Sequence, residues 1–274
     1  MFYKLPSLDK ANRFLFAVCV SLVLAFIFSC SSDGGDNSFS VSNSSSGISS
    51  TDVKLSSSSS LENPEVSSSS EDVPIGCSID GYRTVKIGTQ TWMAENLNCE
   101  VSGSVCYDND LANCAKYGRL YDWATAMKID SSCNSNSCAS QIQFKHRGIC
   151  PSGWHIPSDA EWDQLYSYVV DDASTCENFA DYGYCPTVGG HLKAKAGWND
   201  NGNGLDTYYF SALPSGFGYF GDSFYDVGYS SAWWYSYEYA DNYAYSRLIQ
   251  YHNDFAFWRY YDKSRLLPIR CLRD

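Results

Sequence analysis

Ten cysteines between residues 77 and 271 constrain this chain more than any other feature of its sequence. The 274 residues include 12 cysteines, of which only Cys19 and Cys30 lie outside that interval. An even number of cysteines in an exported domain predicts about five disulfides. A structural metal site is the alternative, but it requires closely spaced C-x2-C pairs, and the sequence has none. We therefore expect a disulfide-linked domain outside the cytoplasm.

The N-terminus predicts export and lipid attachment. A basic segment precedes an apolar run at 14–28, which has about 15 residues and is too short to span a bilayer. The run ends in Ile27-Phe28-Ser29-Cys30, and an aliphatic residue followed two positions later by a small one before cysteine is typical of lipoprotein signal peptides. We expect 1–29 to be removed and Cys30 to carry the lipid, including palmitate. An ordinary secretory signal and an uncleaved anchor are the alternatives.

The segment after the lipidated cysteine predicts a tether and a location. Ser31, rather than Asp, follows Cys30, which favours transport to the outer membrane, on either its surface or its periplasmic face. Serine blocks dominate residues 30–74, and a segment with so little apolar surface is expected to be disordered. A glycosylated tether and a bare one both fit. Residues 75–274 then form one domain.

Charge and periodicity limit the class of that domain. The net charge of −12 argues against nucleic acid as a partner. A hairpin is predicted at 82–93 and helices at 116–127 and 158–169, the second with the capping box Ser158-Asp159-Ala160-Glu161. Strands are predicted at 208–213, 232–239, 244–250 and 266–272. Two helices among short antiparallel strands and long loops predict an α+β fold.

Five ordered motifs resemble one family. They are 88–98 (GTQTWMAENLN), 117–123 (YGRLYDW), 150–157 (CPSGWHIP), 210–214 (FSALP) and Arg270-Cys271. Together they resemble the Fibrobacter succinogenes major paralogous domain, which implies no established biochemical activity. More distantly, 154–162 and 269–274 are similar to formylglycine-generating, sulfatase-modifying factors. That second resemblance implies a C-type-lectin-like fold.

The same resemblance implies one disulfide, Cys150–Cys271. Short spacing suggests three more pairs, and two cysteines then remain for the fifth. These four pairs are Cys133–Cys138, Cys176–Cys185, Cys106–Cys114 and Cys77–Cys99.

Motifs for catalysis are weak. The oxidase activity of the formylglycine-generating enzymes needs a reactive cysteine pair, and the corresponding segment, 233–251, contains no cysteine. The histidines lie in no hydrolase motif, and His155 is expected to have a packed, hydrogen-bonded role. Acidic pairs such as Asp171-Asp172 could serve a glycosidase, but any acidic surface offers them. We expect no enzyme activity.

One loop could bind calcium. Asn199, Asn201 and Asn203 place oxygen ligands at alternating positions, and Asp206 adds a carboxylate, but the acid that normally closes such a loop is replaced by Phe210. A Gly/Asn-rich turn explains the same residues. The expectation is therefore no obligatory cofactor, with calcium as an option.

Aromatic residues suggest a binding surface. In a strand, Trp233, Tyr235, Tyr237 and Tyr239 share one face, which either forms a platform for sugar rings or belongs to the core. We expect an envelope lipoprotein that presents a non-enzymatic binding or adhesion domain, with a polysaccharide or another envelope component as partner. A carboxylate-based, glycan-active enzyme on the same fold and a purely structural envelope protein are the rival hypotheses.

Overall fold

The computed structural model describes residues 77–170, 173–220 and 223–274. The predicted signal peptide, Cys30, the tether and Asp171-Asp172 lie outside the described residues. Within the described ranges, no helix combines the length and apolar character of a transmembrane segment.

Two sheets form the described domain. The smaller has four strands in the order β1-β2-β11-β3, and the larger has seven in the order β4-β5-β10-β9-β8-β6-β7. Among the strands of the described residues, β6 and β8 are the only neighbours that pair in parallel. The strands are β1 Thr84–Ile87, β2 Gln90–Met93, β3 Trp154–His155, β4 Glu177–Asn178, β5 Tyr182–Cys185, β6 Ser215–Tyr219, β7 Ser223–Val227, β8 Ser230–Ala240, β9 Tyr243–Gln250, β10 Ala256–Asp262 and β11 Leu272–Arg273. The helices are α1 Leu111–Tyr117, α2 Trp123–Met127, α3 Asp159–Val169 and α4 Val188–Leu192, with 3-10 turns at Tyr107–Asn109, Ser131–Asn134, Ala139–Gln141 and Ala173–Thr175.

The predicted α+β, C-type-lectin-like fold with two helices is wrong. The described chain is mainly β, and its four helices have only 5 to 11 residues. The helix expected at 116–127 is interrupted at Gly118, whose φ of 79° lies in the left-handed region. Leu120 and Tyr121 form β-bridges instead. A separate helix then begins after Asp122, whose side chain accepts a hydrogen bond from the Thr125 amide.

Two other predicted elements differ from the structure, and four agree. The strand expected at 208–213 is a loop in which Tyr209 and Ser211 have positive φ, and the strand expected at 266–272 is reduced to isolated bridges and β11. The predicted hairpin is confirmed as β1 and β2, and the long strands are confirmed as β8 and β9. The capped helix is confirmed as α3, with the Ser158 amide donating to Glu161 at 2.9 Å.

The large sheet separates two hydrophobic cores. Alternate residues of β8 contribute to opposite sides: Trp233 packs with α3, whereas Trp234 packs with α2. The same alternation continues in β9, where Ile249 joins the first core and Leu248 the second. The α3 side is dense in aromatic rings, with Trp92 and Trp162 at 4.7 Å between centroids.

Within the described ranges, five disulfides stabilise this arrangement, and they join the expected pairs. Cys150–Cys271 spans 121 residues and connects the segment before β3 to the segment before β11. The others are Cys77–Cys99, Cys106–Cys114, Cys133–Cys138 and Cys176–Cys185.

Candidate functional site

The aromatic residues of β8 divide into a buried and an exposed pair. Trp233 and Tyr235 are 0% and 1% exposed, whereas Tyr237 and Tyr239 are 54% and 41% exposed. Helix α3 covers the first pair, with Trp162 6.1 Å from Trp233 between ring centroids. The four residues therefore divide between the two alternatives, since Trp233 and Tyr235 belong to the core and only Tyr237 and Tyr239 are exposed.

Tyrosines of the neighbouring strands β9 and β10 pack beside the exposed tyrosines of β8. Five residues, here called the tyrosine surface, lie at this end of the sheet: Tyr237, Tyr239, Tyr243, Tyr245 and Tyr260. Tyr245 of β9 lies directly opposite Tyr260 of β10. The rings of Tyr239 and Tyr260 stack at 4.1 Å and 5°.

Ring contacts hold the tyrosine surface in one arrangement. Tyr245 is central, with the rings of Tyr237, Tyr239 and Tyr260 at 5.7, 5.2 and 6.1 Å. Aromatic pairs at such separations stabilise each other beyond the effect of burial alone. Because the rings pack against one another, the surface is preformed, and contact with a flat molecule would order few side chains.

An acidic residue borders the tyrosine surface. The Tyr239 hydroxyl donates a 2.8 Å hydrogen bond to Asp181. This bond, with smaller effects of burial and charge, raises the pKa of Tyr239 to about 12. Asp181 and Tyr260 also line a cavity of about 370 Å³ together with Tyr182, Phe257, Trp258 and Arg259. The surface thus offers apolar ring faces beside a carboxylate that accepts hydrogen bonds.

A buried arginine anchors the same face below α3. The Arg247 guanidinium contacts the rings of Tyr166, Tyr235 and Trp258 at 5.1, 5.1 and 5.2 Å. Its Nη2 donates to the carboxylates of α3, with Asp163 Oδ1 at 2.9 Å and Asp159 closer. Asp159 and Asp163 of α3 are therefore both paired with an internal cation.

The candidate calcium loop uses its oxygens internally. Asn203 Oδ1 accepts from the Trp198 amide at 3.0 Å, and the Asp206 carboxylate accepts from the Ser211 amide and hydroxyl at 2.7 and 2.9 Å. Asn199 and Asn201 are exposed. No cluster of three or more His, Cys, Asp or Glu suited to a metal occurs in the described ranges. Calcium binding by this loop stays a prediction.

His155 is buried between two carboxylates. Its Nδ1 lies 2.7 Å from Asp274 and its Nε2 lies 3.0 Å from Glu161, so both ring nitrogens are hydrogen-bonded. Burial alone lowers the pKa of His155, but the two carboxylates raise it overall. The geometry matches the packed role expected from the sequence, since the ring joins β3, α3 and the residue after β11.

Sequence reasoning missed Tyr243, Tyr245 and Tyr260 as parts of the site. Tyr243 and Tyr245 alternate along β9, and Tyr260 alternates with Trp258 along β10, so period-two spacing was available. The register between strands was not available from that spacing.

Comparison with known proteins identifies a family. Residues 85–273 match the family model described as the Fibrobacter succinogenes major domain. Neither a curated protein nor a solved structure shows significant similarity to the chain.

Proposed function

The chain belongs to the Fibrobacter succinogenes major domain family, and from that premise we propose that it is a non-enzymatic binding domain of the cell envelope. The tyrosine surface is the observation that carries this proposal. Its ligand is a polysaccharide, because the apolar faces of sugar rings stack on aromatic side chains and sugar hydroxyls donate to a carboxylate such as Asp181. The exposed Tyr237 and Tyr239 make the first contact.

A retention assay on insoluble glycans tests the ligand. The exported, oxidised chain is incubated with cellulose, xylan, chitin and peptidoglycan, and compared with a Tyr237→Ala/Tyr239→Ala double variant. Loss of two stacking rings is expected to reduce retention on the preferred glycan about tenfold or more. Tyr209→Ala is the matched control, because Tyr209 is an exposed loop residue that does not belong to the tyrosine surface.

Two results would contradict the polysaccharide assignment. One is the absence of retention on every glycan. The other is equal retention of the native chain and the double variant. Retention on isolated outer membranes alone, lost in the double variant, would instead assign the surface to another envelope component.

The sequence around Cys30 supports a location at the outer membrane. We propose a lipid anchor at this thiol, a serine-rich tether over 30–74 and the binding domain held at the outer membrane. Metabolic labelling with palmitate is expected to mark the native chain and not Cys30→Ser. Equal labelling of both chains, or of neither, would overturn the anchor while leaving the glycan proposal standing.

A further inference from the structure

A second cavity lies between the segments that flank the β1–β2 hairpin, the C-terminal end of α1, the loop at 211–213 and Arg270, which precedes β11. Its volume is about 540 Å³, within the range of small-molecule sites. It shares no residue with the tyrosine surface. Among its lining residues are Tyr82, Arg83, Glu95, Asn96, Lys116 and Arg270.

Arg270 is a buried cation in the wall of this cavity. Its side chain donates from Nε and Nη2 to Asn96 Oδ1, at 3.2 and 2.8 Å, and from Nη1 to the Phe210 carbonyl. A guanidinium has five N–H groups, so two have no acceptor in the described part of the chain. No described carboxylate lies within ion-pair distance of it.

The environment of Arg270 stabilises its charge only in part. The ring of Phe210 lies 4.3 Å from the guanidinium carbon and the ring of Trp233 lies 5.6 Å away. Burial nevertheless lowers the pKa of Arg270 to about 9. A buried cation without a paired anion is costly, and an anion in the adjoining space would remove much of that cost.

The other charged residues that line the cavity do not neutralise Arg270. Arg83 is paired with Glu95 at 2.5 Å, and Asp80 accepts a hydrogen bond from the neighbouring Ser78 at 2.8 Å. Lys116, exposed at the end of α1, has no ion-pair partner among the described residues. The lining therefore has one more cation than acid in a chain of net charge −12.

We propose that this cavity binds a small organic carboxylate of the size of a sugar acid. The ligand carboxylate accepts the two remaining N–H groups of Arg270, and Lys116 contributes a second cation from the rim. A lone inorganic anion would leave most of the cavity unfilled, whereas the hydroxyls of a sugar acid match its polar lining. The site is separate from the tyrosine surface and does not depend on the function proposed for it.

Titration calorimetry of the exported, oxidised chain with glucuronate, glucose and phosphate tests this proposal. Glucuronate is expected to bind, and glucose and phosphate are expected to bind more weakly or not at all. Lys116→Gln is expected to weaken glucuronate about fivefold, the scale of a partly exposed ion pair. Lys128→Gln, on the exposed end of α2, is the matched control and should leave the affinity unchanged.

Arg270→Gln should abolish binding, and near-ultraviolet circular dichroism reports whether this variant folds. If Arg270→Gln does not fold, the comparison of Lys116→Gln with Lys128→Gln decides whether the cavity binds glucuronate. Absence of glucuronate binding at millimolar concentration, equal affinity for glucose, tighter binding of phosphate, or unchanged affinity in Lys116→Gln would each overturn the proposal. Glycan retention by Lys116→Gln should equal that of the native chain, so the two sites can fail independently.

Discussion

The ammonium group of Lys263 donates a 2.8 Å hydrogen bond to Glu238, on the face of β8 opposite Tyr237 and Tyr239. Both charged side chains are buried, at 0% and 4% exposure. The carbonyl oxygens of Cys133, Asn136 and Asp241 also lie within 3.2 Å of Lys263 Nζ and share its two remaining N–H groups. Glu238 accepts from the Cys138 amide at 2.8 Å. The pair therefore joins the Cys133–Cys138 loop to the strand that carries the exposed tyrosines.

Replacing Glu238 should destabilise the domain. Glu238→Gln leaves the Lys263 charge buried without its anion, and the free energy of unfolding is expected to fall by about 3 kcal/mol. Urea denaturation with disulfides intact measures the change. Glu95→Gln breaks a largely exposed ion pair and should cost less than about 1 kcal/mol. Equal losses in the two variants would show that the buried pair has no special role.

Stability should depend on pH through His155 and Glu161. Burial opposes ionisation of Glu161, but hydrogen bonds to His155 and Ser158 lower its pKa from 4.5 to about 2. Its contribution is therefore complete above pH 4.5 and lost as the pH falls toward 2. The pKa of His155 is raised above 6.5, so its contribution is complete below pH 6.5 and lost as the pH rises through the folded-state value.

We accordingly expect the free energy of unfolding to be highest between pH 4.5 and 6.5. His155→Gln should flatten the decline above this window, as followed by urea midpoints at several pH values. His252→Gln changes an exposed histidine and should retain the native profile. A native-like decline in His155→Gln would exclude His155 as its cause.

The long disulfide should stabilise more than a short one. Replacing both Cys150 and Cys271 with serine opens a loop of 121 residues, for which chain entropy predicts a loss of about 5 kcal/mol. The same change at Cys133 and Cys138, separated by 5 residues, predicts about 2 kcal/mol. Chemical denaturation of the two double variants compares them. A larger loss at the short loop would show that local packing outweighs loop length.

Asp181 should control the ionisation of Tyr239. Asp181→Asn removes the carboxylate that accepts a hydrogen bond from the Tyr239 hydroxyl, so the pKa of Tyr239 is expected to fall from about 12 toward 10. NMR titration with carbon-13 at the tyrosine Cζ resolves the individual hydroxyls. Asp200→Asn, an exposed acid on another loop, is the control. An unchanged Tyr239 pKa in Asp181→Asn would show that Asp181 does not control the ionisation of this hydroxyl.

Local features of the fold could be predicted where a short sequence is enough to determine the structure. Gly88-Thr89 fixes a turn and Glu161 completes a capping box, so the hairpin and α3 follow from short sequences. The overall fold was not predictable in this way. The motifs at 154–162 and 269–274 describe only small parts of the chain, whereas the seven-stranded sheet depends on distant pairings such as β10 with β5.

The site was predictable only in part, for the same reason. Period two correctly places Tyr235, Tyr237 and Tyr239 on one face of β8, but the position at which α3 stops covering that face is a tertiary property. The contact between Tyr239 and Tyr260 depends on strand register. Arg270 lies next to a cysteine in sequence, yet its partners Asn96 and Phe210 are 174 and 60 residues away.

The Cys77–Cys99 bridge determines how a mechanical load would enter the domain. A force applied through the residues before Cys77 is transmitted to Cys99 directly by the disulfide. Strands β1 and β2 lie between these two cysteines, in a closed covalent ring, so the force does not extend them. The Cys150–Cys271 ring encloses β8, β9 and β10 in the same way. The strands that carry the tyrosine surface could therefore not be extended by force until this disulfide is reduced or broken.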